Sequence, residues 1–329
     1  MGISIAKARS HIEQWCETLR TPSGYVYRTK WPKYLFHHAS LSNAASILNA
    51  GALLSRHDAA NLVHDDVAPA EVIARRDDAH EFARLYFRPR TPTQYQVEGI
   101  RKADECYLGD SSNHVPMLYM FLFSAESVLT LDGTQFSSGN MQSPQTRFDG
   151  TEIFFDSIPF GKVFHEGSFD QSERDAILKA RCAEVLAKSP LLLTEHLKFV
   201  LCRSEAERHT LLDFHPQADA ALKARIRTFT EVGIFQSQYT YIKGVDLVAN
   251  SCLIQFAPRR DGQSIECDLF VRDSGGHVIR HLSQKLIDSS KRLRVNFNNP
   301  LGMGTFRIEI HLEGHLAYRN THLLDDLPF

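Results

Sequence analysis

The chain has 329 residues, a formal net charge of -2 at pH 7, 43% hydrophobic and 23% charged residues, the make-up of a globular protein with a substantial core and about two domains. So small a net charge excludes a molecule-wide field for polyanions, and a nucleic-acid partner would have to be met by a local basic groove. No apolar run approaches the roughly eighteen residues of a membrane span. Six scattered cysteines without a CxxC pair, and no charged-then-apolar segment at the N terminus, make the reduced cytoplasm the expected compartment. The sixteen histidines include no HExxH and no Cys/His ligand spacing, so no metal is expected.

Taken in chain order, residues 4–19 have helical periodicity and end before "TPSG". "YLFHHAS" reads as a strand, and Ser42 as the cap of a helix "NAASILNA" that stops at Gly51, a left-handed C-cap. Residues 55–80 are polar and read as a long loop with a helical part near "PAEVIARRDD". "FARLYF" is a strand signal, and the two prolines of "RPRTPTQY" forbid regular pairing after it. "VPMLYMFLFS" is a buried strand and "SVLTLDG" a neighbouring strand. Residues 133–168, rich in Gly, Ser and Asp, form a loop region long enough to imply function.

The segment from Gln171 to Lys188 reads as a helix with Ile177, Leu178, Cys182, Val185 and Leu186 on one stripe. Glu184 sits beside that stripe, four residues before Lys188 and three after Arg181, the spacing of a helix-surface ion pair. "HLKFVLCRS" is the last strand of the same sheet. From about residue 230 the chain alternates apolar and polar residues, with turns every eight to twelve, and "LEGHLAYRN" reads as a hairpin turning at Gly314. This is the pattern of a small antiparallel β-sandwich without a catalytic constellation.

Five stretches of the first part are chemically unusual. "FHHASLSN" places His37, Ser40 and Asn43 where a strand enters a helix, a position suited to an anionic ligand. "IARRDD" sets Arg75 beside Arg76, which Asp77 and Asp78 could simply solvate and pair. "LYFRPRTPTQY" surrounds Arg88 and Arg90 with Tyr86, Phe87 and Tyr95, a mixture for stacking on a ring and meeting phosphate. "FSSGN" supplies Asn140 on a turn. The fifth is "ARCAEVL", with Glu184.

In this order and spacing the five stretches resemble the DarT family of DNA ADP-ribosyltransferases, over roughly residues 34–203. The resemblance implies an α+β fold, a split antiparallel sheet with helices, followed here by a small all-β sandwich; the expected division is 1–229 and 230–329. It implies transfer of ADP-ribose from NAD, the co-substrate, to a base of single-stranded DNA, in a toxin or phage-defence setting with a separate macrodomain antitoxin as partner. By position, Glu184 matches the catalytic glutamate and Arg76 the catalytic arginine, while His37, Asn43, Gly51, Tyr86, Arg90 and Asn140 match residues lining the NAD pocket. Residues 141–170 correspond to the target-recognition loop. Arg75, Arg84 and Arg88, with Arg101 and Lys102, are candidates to follow the DNA backbone. The chain departs from the family at Ala39 and Ser40, where a Thr and a His are usual, and at Thr93, where a Met is usual. The same chemistry on RNA or protein, or a non-catalytic binding module centred on the sandwich, are the alternative readings.

Overall fold

The computed structural model describes residues 2–20, 26–59, 80–106, 114–141, 143, 146–228 and 233–325. The chain forms two compact units, one of Met1–Gln96, Tyr119–Leu201 and Thr230–Gln236, the other of Val97–Leu118, Cys202–Phe229 and Ser237–Phe329. Two segments that precede residue 230 in sequence thus group with the C-terminal strands.

The first unit opens with helix α1 (Ile5–Thr18), whose Ser4 cap accepts a hydrogen bond from the Lys7 N–H. His11 on its buried side lies 4.2 Å from the Phe160 ring and 4.9 Å from Phe155, and burial lowers its pKa to about 4. The strands are β1 (Tyr34–Ser40), β2 (Ala52–Leu53), β3 (Phe82–Tyr86), β4 (Leu118–Ser124), β5 (Gln135–Ser137), β6 (Phe148–Asp149), β7 (Glu184–Lys188), β8 (Leu191–Leu192) and β9 (Leu197–Cys202). Within this unit the main sheet runs β9-β4-β1-β3-β7-β5-β6, and β2 pairs separately with β8. β3 is antiparallel to both β1 and β7, with Tyr86 opposite Phe36 on one side and Glu184 on the other. The expected mixed fold, a large split sheet with helices, is the one observed.

Four local expectations are corrected. The helix foreseen over Gln171–Lys188 is only Arg174–Ala180, and Glu184 begins β7. Val185, Leu186 and Ala187 are wholly buried between β3 and β5, and a strand buried on both faces reads as a continuous apolar run that periodicity cannot separate from a helix. The i, i+4 pair with Lys188 therefore does not form. "SVLTLDG" is not a strand; Ala125–Leu129 is helical because the Ser124 hydroxyl accepts from the Ser127 N–H. Ser40, not Ser42, caps helix α2 (Leu41–Ala50), accepting from the Asn43 N–H, and Gly51 ends it at φ 66°. Residues 133–168 are not one loop, for besides β5 and β6 they hold the short helices Glu152–Ser157 and Phe160–Val163. The helical part expected near "PAEVIARRDD" falls in 60–79, outside the described residues.

In the second unit a short strand β10 (Ile226–Thr228) precedes seven strands: β11 (Ile242–Val248), β12 (Ser251–Phe256), β13 (Ile265–Arg272), β14 (Val278–Ile287), β15 (Leu293–Asn296), β16 (Gly304–Leu312) and β17 (His315–Leu324). They form a three-stranded sheet β11-β12-β15 and a four-stranded sheet β14-β13-β16-β17. Alternate residues of both, among them Cys252, Ile254, Leu269, Val271, Ile308 and Ile310, share one core, as period two requires of two facing sheets. Helix Glu205–Phe214 packs on β11 and β17. All six cysteines are free thiols. Among the described residues no helix is long and apolar enough to cross a membrane.

Candidate active site

β3 and β7 set the site. Strand alternation puts Arg84 and Tyr86 on one face of β3, and the β3–β7 register puts Glu184 beside Tyr86. The Glu184 side chain is 1% exposed. Its carboxylate accepts from Arg84 twice, Nε to Oε2 at 2.6 Å and Nη2 to Oε1 at 2.7 Å, the bidentate fork geometry of a strong charge-assisted pair. The Met141 N–H adds a longer contact of 3.4 Å to Oε1. The Glu184 N–H donates to the Ser137 hydroxyl at 3.0 Å, and that hydroxyl donates to the Gly139 carbonyl at 2.8 Å. Two separate stretches, 84–86 and 137–141, thereby converge on Glu184.

His38 belongs to the same face of the sheet as Tyr86. Their rings lie parallel, 5.8 Å apart at 4°, and the buried Nε2 of His38 has no hydrogen-bond partner among the described residues. His37 points differently: its Nδ1 meets the Arg84 carbonyl at 3.0 Å and its ring stands edge-on to Phe121. Burial lowers the pKa of His37 to about 4 and of His38 to about 3, so both rings are neutral near pH 7. Burial pushes the Tyr86 hydroxyl well above its ordinary range, with the Glu184 charge adding to it and the nearby Thr93 side chain working against it. Thr93 is thus a direct neighbour of the site at a position where the family usually has methionine.

The remaining residues singled out from the sequence divide into three groups. Asn140 immediately precedes Met141 and so lies next to Glu184. Asn43 is in the first turn of α2 and Gly51 at its end, about 12 Å further along the helix axis. A Cβ on Gly51 would meet nothing within 4 Å, so open space adjoins its backbone. Arg90 holds a positive φ of 57°, a strained conformation for arginine that surrounding contacts must impose. Its N–H donates to Gln94 Oε1 at 2.7 Å and its Nη1 to the Tyr27 hydroxyl at 2.9 Å.

Two of the backbone-following candidates are corrected by burial. Arg88 is fully buried; its guanidinium donates to the carbonyls of Pro89, Val163 and His165 and pairs with Glu166, which leaves it no face for a DNA phosphate. Arg101 lies in the second unit and is also buried, its guanidinium 4.4 Å from the Tyr239 ring centroid. Arg84 is spent on Glu184. Lys102 lies in the second unit too, with Nζ reaching Gln263 at 3.4 Å. Arg75 and Arg76 lie outside the described residues.

The sequence reading missed Arg84 as the partner of Glu184 and missed His38. The signal was available in "FARLYF", where period two sets Arg84 and Tyr86 on one side of an otherwise apolar strand. What could not be read was which distant carboxylate answers that arginine.

The sequence matches the family model for DarT, described as ssDNA thymidine ADP-ribosyltransferase, over residues 36–230. The structure of Thermus sp. 2.9 DarT in complex with ADP-ribosylated ssDNA is similar at 18% identity and a TM-score of 0.49, covering 62% of this chain and 96% of that one. The complex of the same Thermus protein with NAD+ is similar at 16% identity and a TM-score of 0.47, covering 61% and 97%. Thermosipho africanus DarTG in complex with ADP-ribose is similar at 17% identity and a TM-score of 0.45, covering 62% of this chain and 51% of that one. A comparison with curated proteins finds no match. With the family match spanning more than half of its length, the chain belongs to the DarT family of ssDNA thymidine ADP-ribosyltransferases.

Proposed function

We infer that Glu184 is the catalytic carboxylate with which this enzyme transfers ADP-ribose from NAD to thymidine in single-stranded DNA. The observation behind this is a glutamate 1% exposed at the head of a central strand, joined to a single arginine. A buried ion pair contributes little stability compared with apolar residues of the same size, so its presence in the middle of a sheet speaks for a site rather than for the fold.

NAD supplies a ribose whose bond to nicotinamide breaks with the electron pair leaving on the nicotinamide nitrogen. The positive charge that develops on the sugar is met by the Glu184 carboxylate at the ribose hydroxyls. Thymine in DNA has one ring N–H, at N3. Its nitrogen forms the new bond to the sugar, and its proton passes to Glu184 as general base. Arg84 would yield one carboxylate oxygen as the ribose arrives while holding the other in place. Tyr86 stacks on the nicotinamide, and His37, Asn43, Gly51, Arg90 and Asn140 line the pocket. The parallel ring of His38, with its unpartnered Nε2, fits a polar aromatic ligand on the same face. Arg76, from "IARRDD", is the catalytic arginine that keeps nucleophile and sugar in line, and Arg75 is a candidate to follow the DNA backbone. The thymine must be unpaired or flipped to enter such a pocket.

The setting we propose is a cytoplasmic toxin of a toxin-antitoxin or phage-defence system, its modification removed by a separate macrodomain partner. The β-rich segment 230–329 is an accessory domain. Incubation with labelled NAD and separate pools of single-stranded DNA, RNA and protein tests the assignment. Label on thymidine of single-stranded DNA is expected; label on RNA or protein alone would refute the DNA reading. Glu184→Gln should lower transfer by about 10²–10⁴-fold, and a parental rate in that variant would remove Glu184 from the mechanism.

A further inference from the structure

The C-terminal sandwich has an open side that its own packing does not use. β14 ends the four-stranded sheet and β15 ends the three-stranded one, and residues of both line a cavity of about 300 Å³. Its polar walls are Arg280 and His281 from β14 and Asn296, Asn298 and Asn299 from the end of β15, with the Phe297 ring between them. Among the described residues no carboxylate lines it. Amides in such a position present donor and acceptor together, the pairing that nucleobase edges require.

The charge of this edge is opposite to that of the chain. Residues 278–299 hold Arg280, Lys285, Lys291, Arg292 and Arg294 against one acid, Asp288, in a protein whose net charge is -2. Asp288 is already engaged with Lys291 at 3.4 Å. Arg280 donates to the carbonyls of Ile279 at 2.7 Å and Asn299 at 2.9 Å, and Arg294 to the Ser251 hydroxyl at 3.0 Å. These acceptors are neutral, so they fix the guanidinium groups without cancelling their charge. Next to the cavity the exposed His281 ring lies on Phe270, centroids 4.3 Å apart and 16° from parallel, a flat platform at the rim.

We propose that this edge is a second contact for single-stranded DNA, separate from the site of Glu184. Arg280, Arg292 and Arg294 take backbone phosphates, the His281 ring stacks on a base, and the Asn-lined cavity receives a base or sugar. A polyanion is favoured over a neutral sugar because the edge carries five cations against one acid. A single strand is favoured over a duplex because paired bases would offer neither a free face to His281 nor free edges to the amides. The proposal rests on single-stranded DNA being the enzyme's substrate, and it makes the accessory domain a device for retaining long strands.

The test uses the full chain without NAD, with labelled oligothymidylates from about five to thirty nucleotides, read by anisotropy over a range of salt. Arg292→Gln combined with Arg294→Gln removes two exposed charges outside the cavity. It should flatten the salt dependence of long-strand binding by about 1.4 in log–log slope, since each phosphate contact contributes about 0.7 for single strands. His281→Ala should weaken long-strand binding about tenfold. In the transfer assay the same variants should raise KM for long strands alone, with KM for NAD and rates on the shortest strands unchanged. Parental binding of long strands by both variants overturns the proposal, as does duplex DNA binding as tightly as the single strand. Because binding is read without turnover, an inactive transferase would sink the catalytic reading and leave this one still measurable.

Discussion

Arg84 and Glu184 stand 100 residues apart in sequence and share two parallel hydrogen bonds across neighbouring strands. The carboxylate is thereby held in one orientation inside the protein, and the same Arg84 fixes the His37 ring through its carbonyl. One residue of β3 thus positions both a catalytic candidate and a wall of the proposed NAD pocket.

This relationship predicts how Arg84 substitutions behave. Arg84→Leu should reduce kcat for ADP-ribose transfer about a hundredfold, the scale of a small misplacement of a reacting group, with KM for NAD little changed. Arg84→Lys should recover part of the loss by keeping the charge without the fork. Steady-state kinetics on an oligothymidylate decides it; full recovery in Arg84→Lys would mean that Arg84 supplies only charge, and losses equal to those of Arg84→Leu that charge without the fork contributes nothing.

Arg88 and Glu166 carry a stability prediction rather than a catalytic one. Arg88→Met leaves Glu166 largely buried with the 3.4 Å contact to Arg90 and the Tyr27 hydroxyl at 3.3 Å, both on Oε2, and breaking a buried pair in this way costs about 3–5 kcal/mol. Adding Glu166→Gln should return much of the loss. Urea unfolding of the two variants measures the difference, and a DNA-binding defect in Arg88→Met without a loss of stability would contradict the buried placement.

The capping of α2 can be tested residue by residue. Ser40→Ala should destabilise by about 1 kcal/mol through loss of the cap to the Asn43 N–H. Ser42→Ala should stay within about 0.5 kcal/mol. Thermal melts that rank the two in the opposite order would move the cap back to Ser42.

The histidines set an acid limit. In the unfolded chain His37 and His38 take up protons near 6.5, in the folded chain only near 4 and 3. Between these values the unfolded state binds more protons, so the stability contributed by the neutral rings is complete above about pH 6.5 and is lost as pH falls toward 4. Melting temperature should therefore decline over that window. In His38→Phe the decline should be shallower, and an unchanged slope would show that His38 does not contribute.

Much of this protein is fixed by its sequence alone. The helix over residues 4–19, the strands at "YLFHHAS" and "FARLYF", the left-handed Gly51 and the alternating C-terminal strands all follow from nearest-neighbour chemistry and period. The order of the short stretches from His37 to Glu184 was enough to identify the family. The three-dimensional fold alone decided what Glu184 touches. Whether "AEVLA" becomes helix or strand depends on two partner strands from elsewhere in the chain, and an apolar run buried on both faces has no period of its own to announce them. The same holds for Arg84, Arg88 and Arg101: composition marks them all as cations, but burial and partners at distant positions determine which holds a carboxylate and which are structural. Charge in a sequence is local, whereas the desolvation and pairing that give it a role are properties of the folded chain.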